Sequence, residues 1–354
     1  MNNFDYKALP WNIVFGVDAL QRLPEELGKL QFCRVLVLTT YGQRHRGKII
    51  TKLLGSKSVG LFDRAVMHVP IETVREAMET VESLRADCTV SLGGGSTTGL
   101  GKALALKLGI PNIAIPTTYA GSEMTNIWGI TENGHKVTGR DDIVVPTLTL
   151  YDPKLTLDLP ARVAGPSGLN AMAQAVVNLT SGALNPIVSN MALAAVHTLT
   201  HSLPVVVAEP DNIEARADAL LGASLAGGSL GTGVTSLHHR LCHTFGGSFN
   251  TPHAETHTVL LPHCVAYNAA KTTGGIARLA QAMDVSEPAR GLQQLARTLG
   301  APTSLREIGI VERDLDKAAD IATQTPVNNP ESVSRDRVRK LLDNAFFGRE
   351  PVAV

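Results

Sequence analysis

Thr89-Val90-Ser91-Leu92-Gly93-Gly94-Gly95-Ser96-Thr97-Thr98-Gly99-Leu100-Gly101-Lys102 predicts a buried strand, a glycine turn and a helix that ends near Gly109. Glycines in such a turn let the backbone approach a diphosphate closely. The free N–H groups and the dipole of the new helix then hold the negative charge. The turn is neither GxGxxG nor a Walker A sequence, so a tight strand-to-helix turn without a ligand is the competing reading. Its place at the carboxyl end of a predicted parallel strand, where open α/β sheets bind ligands, favours a phosphate.

The neighbouring segments support such a sheet. Arg34 to Leu38, Val59 to Phe62 and Ile113 to Ile115 are short, apolar and bounded by turn residues. Val74, Ala77, Met78, Val81 and Leu84 recur at spacings of three and four, which predicts a helix with one apolar stripe and Glu76, Glu79 and Glu82 on its outer face. A further strand end, Ile115-Pro116-Thr117-Thr118-Tyr119-Ala120-Gly121-Ser122-Glu123, again sets hydroxyls and a glycine at a carboxyl edge. Two phosphate-friendly strand ends point to a dinucleotide, with Gly94, Gly95, Ser96, Thr117, Thr118 and Ser122 as its candidate contacts. Lys136, placed in the loop after the ITENG turn, is a candidate for a ribose or phosphate; a solvated surface charge is the plainer reading.

After Pro160 strand-like runs give way to Ala- and Leu-rich helical stretches, including Asn190 to Ser202 and Ile213 to Ala226. The expected organisation is therefore an α/β dinucleotide-binding domain over 1–159 and an all-helical domain over 160–354. A chain of 354 residues exceeds the usual single-domain size. The 32 basic residues match the 32 acidic ones, which argues against nucleic acid or an anionic membrane as the partner. Cys33, Cys88, Cys242 and Cys264 form no CxxC pair, so neither a zinc ribbon nor a disulfide framework is indicated. No signal-like core and no run near the ~20 apolar residues of a membrane span is expected, which places the chain in the cytoplasm.

The second chemical signal is SLHHRLCHTFGGSFNTPHAETH. A helix over Thr235 to Phe245, ended by Gly246-Gly247, sets His239 and His243 on one face. The polar loop through Asn250 and Pro252 then folds back to bring His253 to the same volume. Such a cluster suits a metal, a proton relay or an oxyanion; the plainer reading is scattered histidines satisfied by backbone. A helix from near Ser167 carries Asn170 and Gln174 at i,i+4 spacing. Neutral amides are poor ligands for a transition metal and are better suited to hydrogen bonding.

In order and spacing, GGGSTTGLGK, PTTYAGSEMT, SGLNAMAQ and HHRLCHTFGG…PHAETHTVLLPH closely resemble the iron-containing alcohol dehydrogenase superfamily, and within it the maleylacetate reductase branch. The resemblance runs from VFGVDAL to the VNNPESVSRD region. It implies the dehydroquinate synthase-like, iron-type alcohol dehydrogenase architecture, with the active site in the interdomain cleft and a homodimer as the assembly. It also implies reduction of maleylacetate to 3-oxoadipate by NADH or NADPH in the catabolism of aromatic compounds. Metal-dependent members use an Asp and a His four residues apart with two later His. Here those places hold Asn170, Gln174, His239 and His253. The maleylacetate reductase branch resembles this in its Asn, but its usual His is Gln174 here, so no catalytic metal is expected.

The superfamily's Asp in the turn is Gly99 here. Thr40 stands where a carboxylate would hold a ribose 2′-hydroxyl, which leaves NADH only weakly favoured. On this reading His243 and His253 hydrogen-bond or protonate an enolate, His239 supports their orientation, and Arg240, Tyr119, Asn170 and Gln174 hold a dicarboxylate oxoacid. A reductase of the same fold acting on another oxoacid and a non-catalytic nucleotide-binding relative are the alternatives.

Overall fold

A computed structural model describes residues 3–132, 135–181 and 185–354. Backbone contacts divide the chain into two units, Ala8–Leu159 and Pro160–Val354, the latter joined by the N-terminal stretch ending at Lys7. That stretch therefore leaves the sheet unit assumed for 1–159. Part of the tie is Asn185, whose Nδ2 donates to the Asp5 carbonyl at 3.1 Å.

In the first unit, strands β1 (Ile13–Phe15), β2 (Val35–Leu38), β3 (Ser58–Phe62), β4 (Cys88–Gly93), β5 (Asn112–Pro116) and β8 (Leu148–Tyr151) form a parallel sheet in the order β1-β8-β5-β4-β2-β3. Every residue of β2, β4, β5 and β8 is buried, as expected where helices cover both faces of a sheet. Helices α1 (Leu23–Lys29), α2 (Arg44–Leu54), α3 (Ile71–Leu84) and α4 (Gly95–Leu108) supply the cover. On α3, Val74, Ala77 and Val81 are buried, Met78 and Leu84 pack partly against the same core, and Glu76, Glu79 and Glu82 are exposed.

Strands β6 (Ile127–Glu132) and β7 (His135–Arg140) pair antiparallel, with Glu132 opposite His135. This hairpin is not among the expected elements. Its residues are mostly half-buried or exposed, so the apolar run that marks the other strands is missing. The part of the ITENG turn at 133–134 lies outside the described residues. Lys136 belongs to β7 rather than to a loop.

The second unit contains α5 (Ala161–Leu179), α6 (Pro186–Ala208), α7 (Ile213–Gly231), α8 (Leu237–Phe249), α9 (His253–Asn268), α10 (Thr273–Met283), α11 (Pro288–Thr298), α12 (Asp314–Thr323) and α13 (Arg335–Phe346). Contrary to expectation, α6 is long and apolar enough, by length and composition, to cross a membrane. It packs on α5 and α7 and buries Val188, Ala192, Val196, Leu199 and Leu203, as a core helix of a bundle does. Its opposite face is half-buried or exposed.

On α9, His263 is buried and its Nε2 has no hydrogen-bond partner. Burial pushes its pKa down to about 4, whereas an unfolded histidine titrates near 6.5. The folded value lies below the unfolded one, so acid protonates the unfolded chain first and stability is lost as pH falls from about 6.5 toward 4. His263 should therefore remove about 2 kcal/mol of stability between pH 7 and pH 5. His263→Asn should flatten the dependence of the urea midpoint on pH across that interval. A slope identical to wild type would show that His263 is not the group responsible.

Candidate functional site

The sheet order puts the carboxyl ends of β5, β4 and β2 side by side. Thr40 follows β2 and caps the 3₁₀ turn Tyr41–Gln43. Gly94 is the N-cap of α4, so Gly95 and Ser96 open the helix with N–H groups that have no intrahelical acceptor. After β5, the Thr117 N–H donates to the Gly93 carbonyl at 3.0 Å, which ties the two strand ends together. Gly94, Gly95, Ser96, Thr117 and Thr118 thus share one edge with Thr40, the arrangement a dinucleotide needs.

Gly99, which replaces the superfamily's Asp, has a packing reason. A Cβ there would stand 2.7 Å from Val69 Cγ2, so the strand-side segment occupies the space a side chain would take. Ser122 is held from below by Lys102, whose buried Nζ donates to the carbonyls of Ser122 (2.6 Å), Thr125 (2.7 Å) and Ile127 (2.9 Å) and to Thr125 Oγ1 (2.9 Å). Burial draws the Lys102 pKa down to about 7, against the opposing pull of Glu123. Four oxygen acceptors around one nitrogen favour the ammonium. Lys136 pairs with Thr131 in the hairpin, its side chain lies over Gly129, and burial lowers its pKa. It is a half-buried strand residue, not the loop residue expected.

The histidines occupy α8 and α9. On α8, Leu237, Leu241 and Phe245 recur every four residues and enter the apolar core with Cys242. His239 and His243, some 200° around the helix from Leu237 and Leu241, face elsewhere, as their spacing predicts. The helix does not stop at Gly246-Gly247. It continues to Phe249 and is capped by Asn250 at φ 52°. Asparagine tolerates the left-handed conformation, so the glycines are not needed as the stop. Thr251 and Pro252 lead at once into α9, whose first residue is His253.

Two further histidines complete the group, and neither is among the expected site residues. His257 stacks one turn below His253 on α9, with ring centroids 4.5 Å apart. It also meets His238 at 4.8 Å and His239 at 5.4 Å. His239 and His243 are 6.5 Å apart. His257 is therefore the hub. Burial, reinforced by His253, His238, His239 and His243, holds its pKa well below the ordinary range. Burial likewise pushes His238 down to about 4. The signal for His257 was present in the sequence as its i,i+4 distance from His253. His238 sits between the core face and the histidine face of α8, so spacing alone did not single it out. His238 and His257 are buried and neutral near pH 7, while His243 and His253 are half-buried.

The remaining candidates separate. Asn170 and Gln174 share one face of α5, which packs on α9. Tyr119 is fully buried, and its hydroxyl donates to Thr156 Oγ1 at 3.4 Å, so it forms part of the sheet unit's interior instead of an open carboxylate contact. Arg240 turns away from the histidine face and donates to Thr325 Oγ1 at 2.8 Å. One of its guanidinium nitrogens is thereby engaged outside the histidine group. Where the family resemblance sets a metal, Asn170, Gln174, His239 and His253 provide two neutral amides and two imidazoles. Among the described residues, no Asp, Glu or Cys joins His239 or His253 in a metal-ready cluster. This donor set does not fit a catalytic iron, which needs an anionic ligand to offset its charge.

Comparisons with known proteins identify the family. Residues 10–153 match the family described as iron-containing alcohol dehydrogenase, and residues 165–346 match the C-terminal part of the Fe-containing alcohol dehydrogenase family. A maleylacetate reductase of Burkholderia cepacia is 48% identical over 99% of this chain and 100% of its own length. Crystal structures of maleylacetate reductases from Agrobacterium tumefaciens and from a Rhizobium strain are each 45% identical, cover 99% of this chain and 100% of theirs, and superpose with TM-scores of 0.95 and 0.94.

Proposed function

Since the chain belongs to the iron-containing alcohol dehydrogenase family and has full-length relatives named maleylacetate reductase, we propose that it reduces maleylacetate to 3-oxoadipate with a nicotinamide dinucleotide and without a catalytic metal. The observation that carries the reading is the histidine cluster of α8 and α9, in which neutral, buried His238 and His257 back the half-buried His243 and His253. Maleylacetate carries a ketone conjugated to a carbon–carbon double bond. Hydride from the dinucleotide adds to the alkene carbon β to the ketone, and the displaced electron pair becomes an enolate. A proton on the α carbon then completes the product, so NADH and one proton are consumed for each NAD⁺ and 3-oxoadipate formed.

Conjugation already spreads the developing charge, so hydrogen-bond donors can replace a Lewis acid. His243 and His253 hydrogen-bond the enolate oxygen or deliver the proton. His239, buried between His243 and His257, fixes their orientation. Asn170 and Gln174 offer neutral amides to the substrate carboxylates. The turn at Gly94, Gly95 and Ser96, with Thr117, Thr118 and Ser122, holds the diphosphate. The neutral Thr40 neither favours a 2′-hydroxyl through a carboxylate nor repels a 2′-phosphate, so NADH is the expected donor and NADPH an accepted one. Four free cysteines, three of them buried, suit a reducing cytoplasm.

Loss of nicotinamide absorbance with maleylacetate should be rapid and should persist after exhaustive chelation. Activity that vanishes with chelator and returns with iron or zinc would overturn the metal-free mechanism. Gln174 in place of the branch's usual His supports a second reading, reduction of a different small oxoacid. Tight NADH binding with turnover of another enone oxoacid and none of maleylacetate would favour it.

A further inference from the structure

His238, Cys242 and His257 are not used as reacting groups above, yet they form a compact donor set. One donor atom from each lies within 4.8 Å of the others. His238 and Cys242 are i,i+4 on α8, and His257 reaches them from α9. Cys242 Sγ and His238 Nε2 stand 3.6 Å apart. A tetrahedral zinc with Zn–S near 2.3 Å and Zn–N near 2.05 Å sets its sulfur and nitrogen ligands about 3.6 Å apart, so this edge already has the length that coordination requires.

A second observation points the same way. His257 is buried, and neither its Nδ1 nor its Nε2 has a hydrogen-bond partner; His238 Nδ1 has none either. Buried imidazole nitrogens without partners are unfavourable, and a cation at the centre of the set would engage a lone pair of His257. The Cys242 thiol itself faces His238 and otherwise lies in the apolar core. Soft sulfur with two imidazoles selects zinc-like cations over hard ones.

We propose that His238, Cys242 and His257 form a binding site for a thiophilic divalent cation of the zinc type, distinct from the position at Asn170, Gln174, His239 and His253. On binding, the S–H proton leaves to solvent and the sulfur–metal bond forms. His238 gives its Nε2 lone pair, its proton moves to Nδ1, and the 3.3 Å contact of Nε2 with the His257 carbonyl is surrendered. Three protein donors leave a fourth tetrahedral position. The site stands independently of whether the chain reduces maleylacetate.

All three side chains are buried, so the ion must enter during folding or through local opening. The test is refolding of the full chain with cobalt(II) as a spectroscopic stand-in for zinc. A thiolate-to-cobalt charge-transfer band with intense tetrahedral visible bands is expected in wild type. It should disappear in Cys242→Ser, weaken strongly in His257→Gln, and survive in a His239→Gln, His253→Gln double variant. Circular dichroism checks that each variant folds, and His257→Gln decides the matter if Cys242→Ser does not. The exposed group His197, His201 and Asp284 also offers cobalt a place, but it has no sulfur and cannot give the charge-transfer band. Absence of the band in refolded wild type, its persistence in Cys242→Ser, or its loss in the double variant would each overturn the proposal.

Discussion

Replacing His253 by alanine lowers kcat for maleylacetate by about 10²–10⁴-fold while leaving the affinity for NADH unchanged. His253 opens α9 immediately after Pro252, which is the N-cap at φ −60° and ψ 128°. Its ring lies over His257 and is half-buried, so it has both a fixed base and access to a reacting atom. Alanine retains the helix start and removes only the imidazole. The enolate then loses a donor that acts as charge develops, so the effect falls on kcat rather than on binding. His243→Ala should behave likewise. Stopped-flow turnover beside fluorescence titration of NADH separates the two quantities. An equal loss of turnover and NADH affinity in both variants would move these histidines out of the chemistry.

Gly101→Ala should destabilise the sheet unit by about 3–5 kcal/mol, combining overpacking with a broken buried polar group. A Cβ at this position would stand 2.2 Å from Ser91 Oγ and 2.5 Å from Asn112 Oδ1. Those atoms are already joined, because Ser91 Oγ and Thr89 Oγ1 donate to Asn112 Oδ1 at 2.7 and 3.0 Å. The methyl can enter only if α4 lifts from β4 and β5 or the hydrogen bonds part. Either displaces the N-terminus of α4 from the strand ends that form the candidate dinucleotide edge. Thermal unfolding should shift downward by roughly 6–20 °C, with weaker NADH binding. An unchanged midpoint would mean that α4 accommodates the methyl without cost.

Much of the fold is legible along the chain because strands and helices write different periods. The β2 run and Ile113–Ile115 of β5 are continuous and apolar, and β4 is buried throughout although it carries Thr89 and Ser91, while α3 repeats every three to four residues. The β6–β7 hairpin hid because it is narrow and polar. Its one local sign was Asn133-Gly134, a dipeptide favoured between paired strands. At the histidine cluster, i,i+4 spacing located His239 and His243, and the same rule applied to His253 gives His257.

Sequence alone determined the strand–turn–helix at Gly93–Gly95, the helical character beyond Pro160 and the absence of a carboxylate among Asn170, Gln174, His239 and His253, where the family resemblance sets a metal. Each depends on residue type or on contacts within a few residues. Tertiary structure decided that Arg240 donates to Thr325, that Tyr119 is interior, and that His257 is the hub with His238 and Cys242 beside it. Those outcomes depend on how α8 and α9 are rotated against one another and on which side chain reaches a partner far along the chain. Local periodicity fixes which face of a helix a residue occupies, but packing alone fixes what that face meets.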